Sequence, residues 1–144
     1  MAKHTNTDHC AKCEEIILKY GGLFYTLKDW FDKIRIKYPE AHISCAGRNE
    51  KDQQEAFARG MSKATFGKSP HNYVPTPALD LFRLDKEGKA SWDKEWYKLV
   101  IGENLETNLS WGGNWQSFRD NPHVEISNWR FLRDSEKISL IKKS

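Results

Sequence analysis

The sequence predicts an α+β fold. Segments of helical period occupy the N-terminal part of the chain, short strand-like runs follow in its middle and late parts, and the two alternate in no βαβ rhythm. The last point sets aside a doubly wound parallel sheet. Length agrees, since 144 residues make one ordinary domain, 1–144, without repeat, low-complexity tract or linker. A chain of that size buries roughly 68–70% of its unfolded surface and can build a core without staples.

The elements follow in order. Cys10 to Tyr20 reads as a short helix stopped by Gly21-Gly22. Thr26, with Asp29 three positions on, is the expected cap of a second helix. Its apolar residues Leu27, Trp30, Phe31, Ile34 and Tyr38 keep helical spacing, and Pro39 ends it. Ala41 to Ala46 is a strand candidate, and Asn49 a cap for a helix over Glu50 to Arg59 that Gly60 closes. Gly67, Pro70, Pro75 and Pro77 make Met61 to Pro77 a loop. Ala78 to Leu84 reads as a strand, Asp85 to Gly88 as a turn, and Ser91 as the cap of a helix to about Glu106. Trp111-Gly112-Gly113-Asn114-Trp115 reads as a loop and His123 to Ile126 as an alternating strand. The tail, Ser135 to Ser144, carries Lys137, Lys142 and Lys143 among apolar residues. It reads as a solvated tail or, less readily, as a basic amphipathic segment against an anionic envelope.

Composition narrows the class. Hydrophobic residues at 38% and charged residues at 30% exclude collagen, coiled coil and wholesale disorder. The formal charge of +3 suits an anionic partner but gives no nucleic-acid footprint. No run approaches the ~18 apolar residues of a membrane span, so no stable membrane insertion is expected. The polar start, Met-Ala-Lys-His-Thr, does not read as a secretory signal. Cys10, Cys13 and Cys45 cannot all pair within one chain, which points to synthesis in a reducing cytoplasm. His9-Cys10-Ala11-Lys12-Cys13, with His4 as a further ligand, admits a metal or redox reading. A lone Cys-x-x-Cys without a second knuckle reads more readily as a helical end with two incidental cysteines.

The residues that carry chemistry are His71 in the Pro-rich loop, Asp80 in the following strand and His123 in the late strand. Two imidazoles and a carboxylate leave a fourth position for water, the arrangement of a catalytic zinc site. Strand alternation places His123 and Glu125 on one face, and Asp120 stands three residues ahead of His123. The same ligand set serves non-haem iron oxygenases, but those keep the first histidine and the acid close together on a strand. Here they are nine apart.

Ser69-Pro70-His71 followed by Ala78-Leu79-Asp80, and Asp120-Asn121-Pro122-His123-Val124-Glu125, resemble the two zinc motifs of the D-Ala-D-Ala carboxypeptidase and L-alanyl-D-glutamate peptidase family. Gly47-Arg48 with Gln53, and Gly60 to Ala64 after them, are similar to the segment ahead of the first motif in phage endolysins of that family. The resemblance spans about Thr26 to Phe131, with residues 1–25 as an N-terminal helical extension. One departure is clear: the family's spacer carries Gly and places the Asp seven residues after the His, whereas Val74-Pro75-Thr76-Pro77 stands there in this chain.

The resemblance implies a small antiparallel sheet flanked by helices, Hedgehog/D-Ala-D-Ala peptidase-like, with the zinc site on the sheet. It implies Zn2+ on His71, Asp80 and His123, Asp120 as general base and Arg48 as oxyanion stabiliser. Ser69, Glu125 and Gln53 are implied as supporting residues, and Tyr73, Trp111 and Trp115 as candidates for the substrate groove. The expected substrate is the peptidoglycan stem peptide, cut between L-Ala and D-Glu or, alternatively, at D-Ala-D-Ala. The expected setting is a monomeric phage endolysin, made in the host cytoplasm and reaching the wall through a separate membrane-permeabilising protein. A non-catalytic wall-binding or phage structural protein is the third reading.

Overall fold

A computed structural model of the chain describes residues 2–142. Helix α1 (Ala11–Leu18) starts at Cys10, whose sulfur accepts from the Cys13 N–H. Helix α2 (Tyr25–Lys37) buries Leu27, Trp30, Phe31 and Ile34 along one stripe. The expected Thr26 cap is not used; Phe24 stands at the N-cap without a side-chain bond. Tertiary contacts fix that start instead. Leu23 bridges Thr76, and the Phe24 N–H donates to the Thr76 carbonyl at 2.9 Å.

Strand β1 (Ala41–Cys45) leads to α3 (Glu50–Ala58), which Asn49 caps by accepting from the Asp52 N–H at 2.9 Å. A 3₁₀ turn (Pro70–Asn72), β2 (Tyr73–Val74), β3 (Ala78–Leu84) and β4 (Ala90–Ser91) follow. Ser91 is therefore not a helix cap: it pairs with Arg83, because the Asp85–Gly88 turn folds the chain back along β3. Asp93 caps α4 (Lys94–Val100), which stops short of Glu106. Strand β5 (Leu109–Trp111) ends in a 3₁₀ turn over Gly112–Asn114, so the Trp-Gly-Gly-Asn-Trp segment is only in part a loop. Strand β6 (His123–Ile126), α5 (Trp129–Asp134) and β7 (Ser139–Leu140) complete the described chain.

The main sheet is antiparallel in the order β1-β3-β6-β5, with β4 on β3. Its register sets Asp80 opposite Cys45 on one side and His123 on the other. Helix α4 locks onto this sheet through the Tyr97 hydroxyl, which donates to the Leu81 carbonyl at 2.7 Å. No helix among the described residues is long and apolar enough to cross a membrane.

Both readings of the tail give way to a docked strand. Ser139–Leu140 pair with Val74 and Tyr73, Ile138 and Ile141 are buried, and the Ile141 N–H donates to the Asn72 carbonyl at 2.7 Å. The isoleucines among its lysines are thus interior contacts, not a membrane face; Lys143 and Ser144 lie outside the described residues. The longer spacer explains itself in the same place. Val74 pairs with β7 and lies against Gly21, while the Thr76 N–H donates to the Gly22 carbonyl at 2.8 Å. These added residues form a seam between the Gly21–Phe24 segment and β7, and Asp80 keeps its place in β3.

Candidate active site

His71 is positioned by its own turn. Pro70 starts the turn with its fixed φ, and Ser69 Oγ accepts from the His71 N–H at 3.2 Å. Asn72 Oδ1 closes the box by accepting from the N–H groups of Ser69 (3.1 Å) and Gly67 (2.9 Å). The His71 carbonyl in turn accepts from the Arg48 N–H at 2.7 Å, stitching the Gly47-Arg48 segment to the site.

Three atoms converge. His71 Nε2 lies 3.2 Å from His123 Nδ1, and Asp80 Oδ1 lies 3.3 Å from the former and 3.0 Å from the latter. Each histidine is tied at its other nitrogen: His71 Nδ1–H donates to the Ala46 carbonyl, and His123 Nε2–H to Glu125 Oε1 at 2.7 Å. Those bonds leave three acceptor atoms facing one another. A tetrahedral zinc with ligands at about 2.0–2.2 Å sets its ligand atoms about 3.3–3.6 Å apart. The triangle, with sides of 3.0–3.3 Å, lies within about 0.3 Å of the short end of that range, and two imidazoles with a carboxylate are a donor set that fits zinc. Electrostatics agree. Burial lowers the proton affinity of both imidazoles, yet Asp80 more than reverses it, raising His71 to about 10 and also raising His123. Asp80 itself is held well below the usual carboxylate range against its burial, by His71 and His123. The site is built to hold positive charge.

Asp120 stands beside this triangle, its carboxylate within 4.8 Å of the ligand atoms of Asp80 and His123. That carboxylate makes no hydrogen bond among the described residues, and burial together with the Asp80 charge pushes it above the ordinary range. Arg48 is held on three sides: Nε–H donates to Cys45 Sγ at 3.3 Å, Nη1–H to Gln53 Oε1 at 3.1 Å, and Nη2 lies 3.4 Å from Asp80 Oδ2. Gln53 is fully buried; it also donates to Ser62 Oγ (3.0 Å) and the Ala64 carbonyl (2.8 Å), so it fixes Arg48 from the opposite wall. Cys45 was not singled out by its sequence context. The β1 register and the bulge between Ile43 and Cys45 bring its sulfur 3.9 Å from His71 Nδ1 and within 4.8 Å of the Asp80 carboxylate, on the side of His71 opposite its Nε2.

A groove of about 590 Å³ opens over His71, His123, Asp120 and Arg48. Trp115 forms one wall, its ring 5.2 Å from that of His123. Tyr73 and Trp111 do not reach the groove. Tyr73 is buried against Trp129 and donates to the Gly67 carbonyl at 2.8 Å, while Trp111 is buried and donates to the Asn121 carbonyl at 2.6 Å.

The glycines between the two tryptophans pack against Asp120 and Trp111 and do not line the groove. A Cβ on Gly112 would stand 2.2 Å from the Asp120 carbonyl oxygen, and one on Gly113 2.1 Å from the Trp111 ring. The Gly112 carbonyl also accepts from the Asp120 N–H at 3.0 Å. Gly112→Ala must therefore push Asp120 away from the triangle. Zinc content is expected to stay intact while turnover falls by about 10²-fold, the usual cost of an ångström of misplacement. Metal analysis and rate measurement on one preparation check both halves.

Comparison with known proteins gives a consistent picture. Residues 62–126 match a family model described as D-alanyl-D-alanine carboxypeptidase. Peptidoglycan L-alanyl-D-glutamate endopeptidase CwlK of Bacillus subtilis (strain 168) is 33% identical over 97 residues, which cover 55% of this chain and 56% of that protein. The chain thus spans about half the length of this curated relative. The crystal structure of Serratia marcescens L-Ala D-Glu endopeptidase ChiX superposes with a TM-score of 0.68 at 20% identity, over 85% of this chain and 92% of that one. The shared architecture is the mixed helical and antiparallel fold described above.

Proposed function

We propose that this chain is a zinc peptidase of the D-alanyl-D-alanine carboxypeptidase and L-alanyl-D-glutamate peptidase family, to which its matches point, and that it cuts the peptidoglycan stem peptide between L-Ala and D-Glu. The observation that carries the proposal is the triangle of His71 Nε2, Asp80 Oδ1 and His123 Nδ1, with Asp120 and Arg48 beside it on an open groove. His71, Asp80 and His123 would hold the ion. When bound, zinc supplies a Lewis acid and a water that loses its proton near neutral pH.

The side chains divide the remaining work. Asp120 accepts a proton from the attacking water and returns it to the departing amine, and its raised proton affinity suits that exchange. Arg48, fixed by Gln53, Cys45 and Asp80, sets a cation where negative charge develops on the scissile carbonyl oxygen. Because its partners hold it before substrate arrives, little reorganisation accompanies the reaction. Trp115 gives the peptide a flat wall, and Lys63, Lys68 and Arg130 line the same groove. Such cations fit a peptide that carries free carboxylates, as the D-Glu of a stem peptide does.

The names of both relatives favour the L-Ala–D-Glu bond over terminal D-Ala-D-Ala, which is the second reading. The proposal extends to a phage-type lytic setting: synthesis in a bacterial cytoplasm, where Cys10, Cys13 and Cys45 stay reduced and unpaired by disulfides, and access to the wall through a separate membrane-permeabilising protein. Zymography on purified sacculi tests the activity. Clearing that a zinc chelator abolishes and added zinc restores is expected. Binding of sacculi without clearing would return the chain to the wall-binding reading.

A further inference from the structure

Four ligand-type side chains meet away from the groove. His4 from the N-terminal segment, Cys10 and Cys13 from the start of α1, and His42 from β1 bring their ligand atoms within 4.8 Å of one another. None of them lines the groove. Cys10, Cys13 and His42 are buried, and His4 is half-buried. His4 Nδ1 lies 3.4 Å from Cys10 Sγ and 3.5 Å from Cys13 Sγ, and His42 Nδ1 lies 3.3 Å from Cys13 Sγ. A tetrahedral zinc with sulfur at about 2.3 Å and nitrogen at about 2.0–2.1 Å places sulfur and nitrogen about 3.5 Å apart. The spacing is that of a closed four-ligand site.

The surroundings prepare each ligand. His42 Nε2–H donates to Asn6 Oδ1 at 2.7 Å, which leaves Nδ1 with its lone pair toward Cys13. Both sulfurs accept a backbone N–H at 3.4 Å, Cys10 from Cys13 and Cys13 from Ile43. Both sit at the N-terminal end of α1, Cys10 at its N-cap and Cys13 in its first turn, where burial raises the proton affinity of the Cys13 thiol. Phe82 shelters the cluster, its ring 4.9 Å from His4 and 5.7 Å from His42. Arg35 lies beside the cluster, its Nη1 3.4 Å from His42 Nδ1, and is held there by donating to the carbonyls of Thr7 and Pro39 at 2.6 Å and of Ala41 at 2.9 Å. His9, next to the cysteines in sequence, points away and pairs with Glu14.

We propose that His4, Cys10, Cys13 and His42 bind a second zinc ion in a structural site that fastens the N-terminal segment to β1. Four protein ligands leave no open position, so the site holds structure and does no chemistry. The segment before α1 needs such a fastening, since residues 2–10 contain neither helix nor strand. A Cys10–Cys13 disulfide is the competing use of the same sulfurs.

Metal content and cobalt spectra decide. Protein purified under reductant is expected to carry a zinc ion at each cluster. Cys10→Ser/Cys13→Ser should lose one of them, keep clearing sacculi at low temperature, and unfold at a lower temperature than the parent. Cobalt-loaded His123→Ala, with the groove site broken, should retain a thiolate-to-cobalt charge-transfer band. That band should survive Cys45→Ser and vanish in Cys10→Ser/Cys13→Ser. If the serine variant does not fold, the His123→Ala spectrum alone is decisive. An unchanged zinc content in a folded Cys10→Ser/Cys13→Ser variant, no such band in His123→Ala, or a Cys10–Cys13 disulfide under reductant would overturn the assignment.

Discussion

Asp120→Asn is expected to leave the zinc content unchanged and to cut hydrolysis of sacculi by about 10²–10⁴-fold, the usual contribution of a positioned base. The two halves of that outcome have separate causes. Zinc stays because the convergent triangle consists of His71, Asp80 and His123, and the Asp120 carboxylate has no hydrogen bond to any of them. Hydrolysis goes because an amide of the same shape cannot take a proton from water or hand it to a leaving amine. The backbone around position 120 should hold, since the Asp120 N–H donates to the Gly112 carbonyl and its carbonyl accepts from His123, neither bond involving the side chain. Full activity with bound zinc would remove Asp120 from the mechanism.

His123→Ala is the second large effect. It deletes one corner of the triangle and leaves Asp80 and Glu125 without the imidazole that pairs with both. Zinc bound at the groove should be lost at ordinary protein concentrations, and turnover should fall by ~10³ or more, since both the Lewis acid and the activated water go with the ion. His123 is buried in a paired strand, so the fold needs its own check by circular dichroism and thermal melting. Asp80 keeps Arg48 and His71 as partners, which should hold the sheet together. A folded His123→Ala enzyme that still cleaves at the parent rate would show that the triangle is not the metal centre of the reaction.

The helices and central strands were legible where local periodicity and core burial agree. Leu27, Trp30, Phe31 and Ile34 form one buried stripe, and Asn49 caps its helix as its sequence position suggests. Thr26 and Ser91 misled because long-range pairing outranks local capping: Thr76 fixes the entry to α2, and Arg83 draws Ser91 into a strand. The tail misled for a related reason. Its lysines advertise solvent, but the isoleucines at 138 and 141 find a buried seat that only the folded β2 edge creates.

At the site, His123 and Glu125 could be placed together because period-two alternation is geometric, and they do touch at 2.7 Å. Cys45 and His42 carried no such signal. Each reaches its cluster through sheet register, opposite Asp80 and Phe82 respectively, and register is set by partners distant in sequence. Trp111 and Trp115 flank the same two glycines, yet one is core and the other lines the groove. Sequence alone cannot tell them apart, because the turn between them decides which ring faces inward.

The most direct test is mass spectrometry of the muropeptides released from purified sacculi by the zinc-loaded enzyme. New fragments with a free D-Glu amine, matched by glycan strands ending in an L-Ala carboxyl and absent from chelator-treated and Asp120→Asn digests, are the expected result. Release of D-Ala alone, or sacculi left intact by an enzyme with zinc bound at His71, Asp80 and His123, would contradict it.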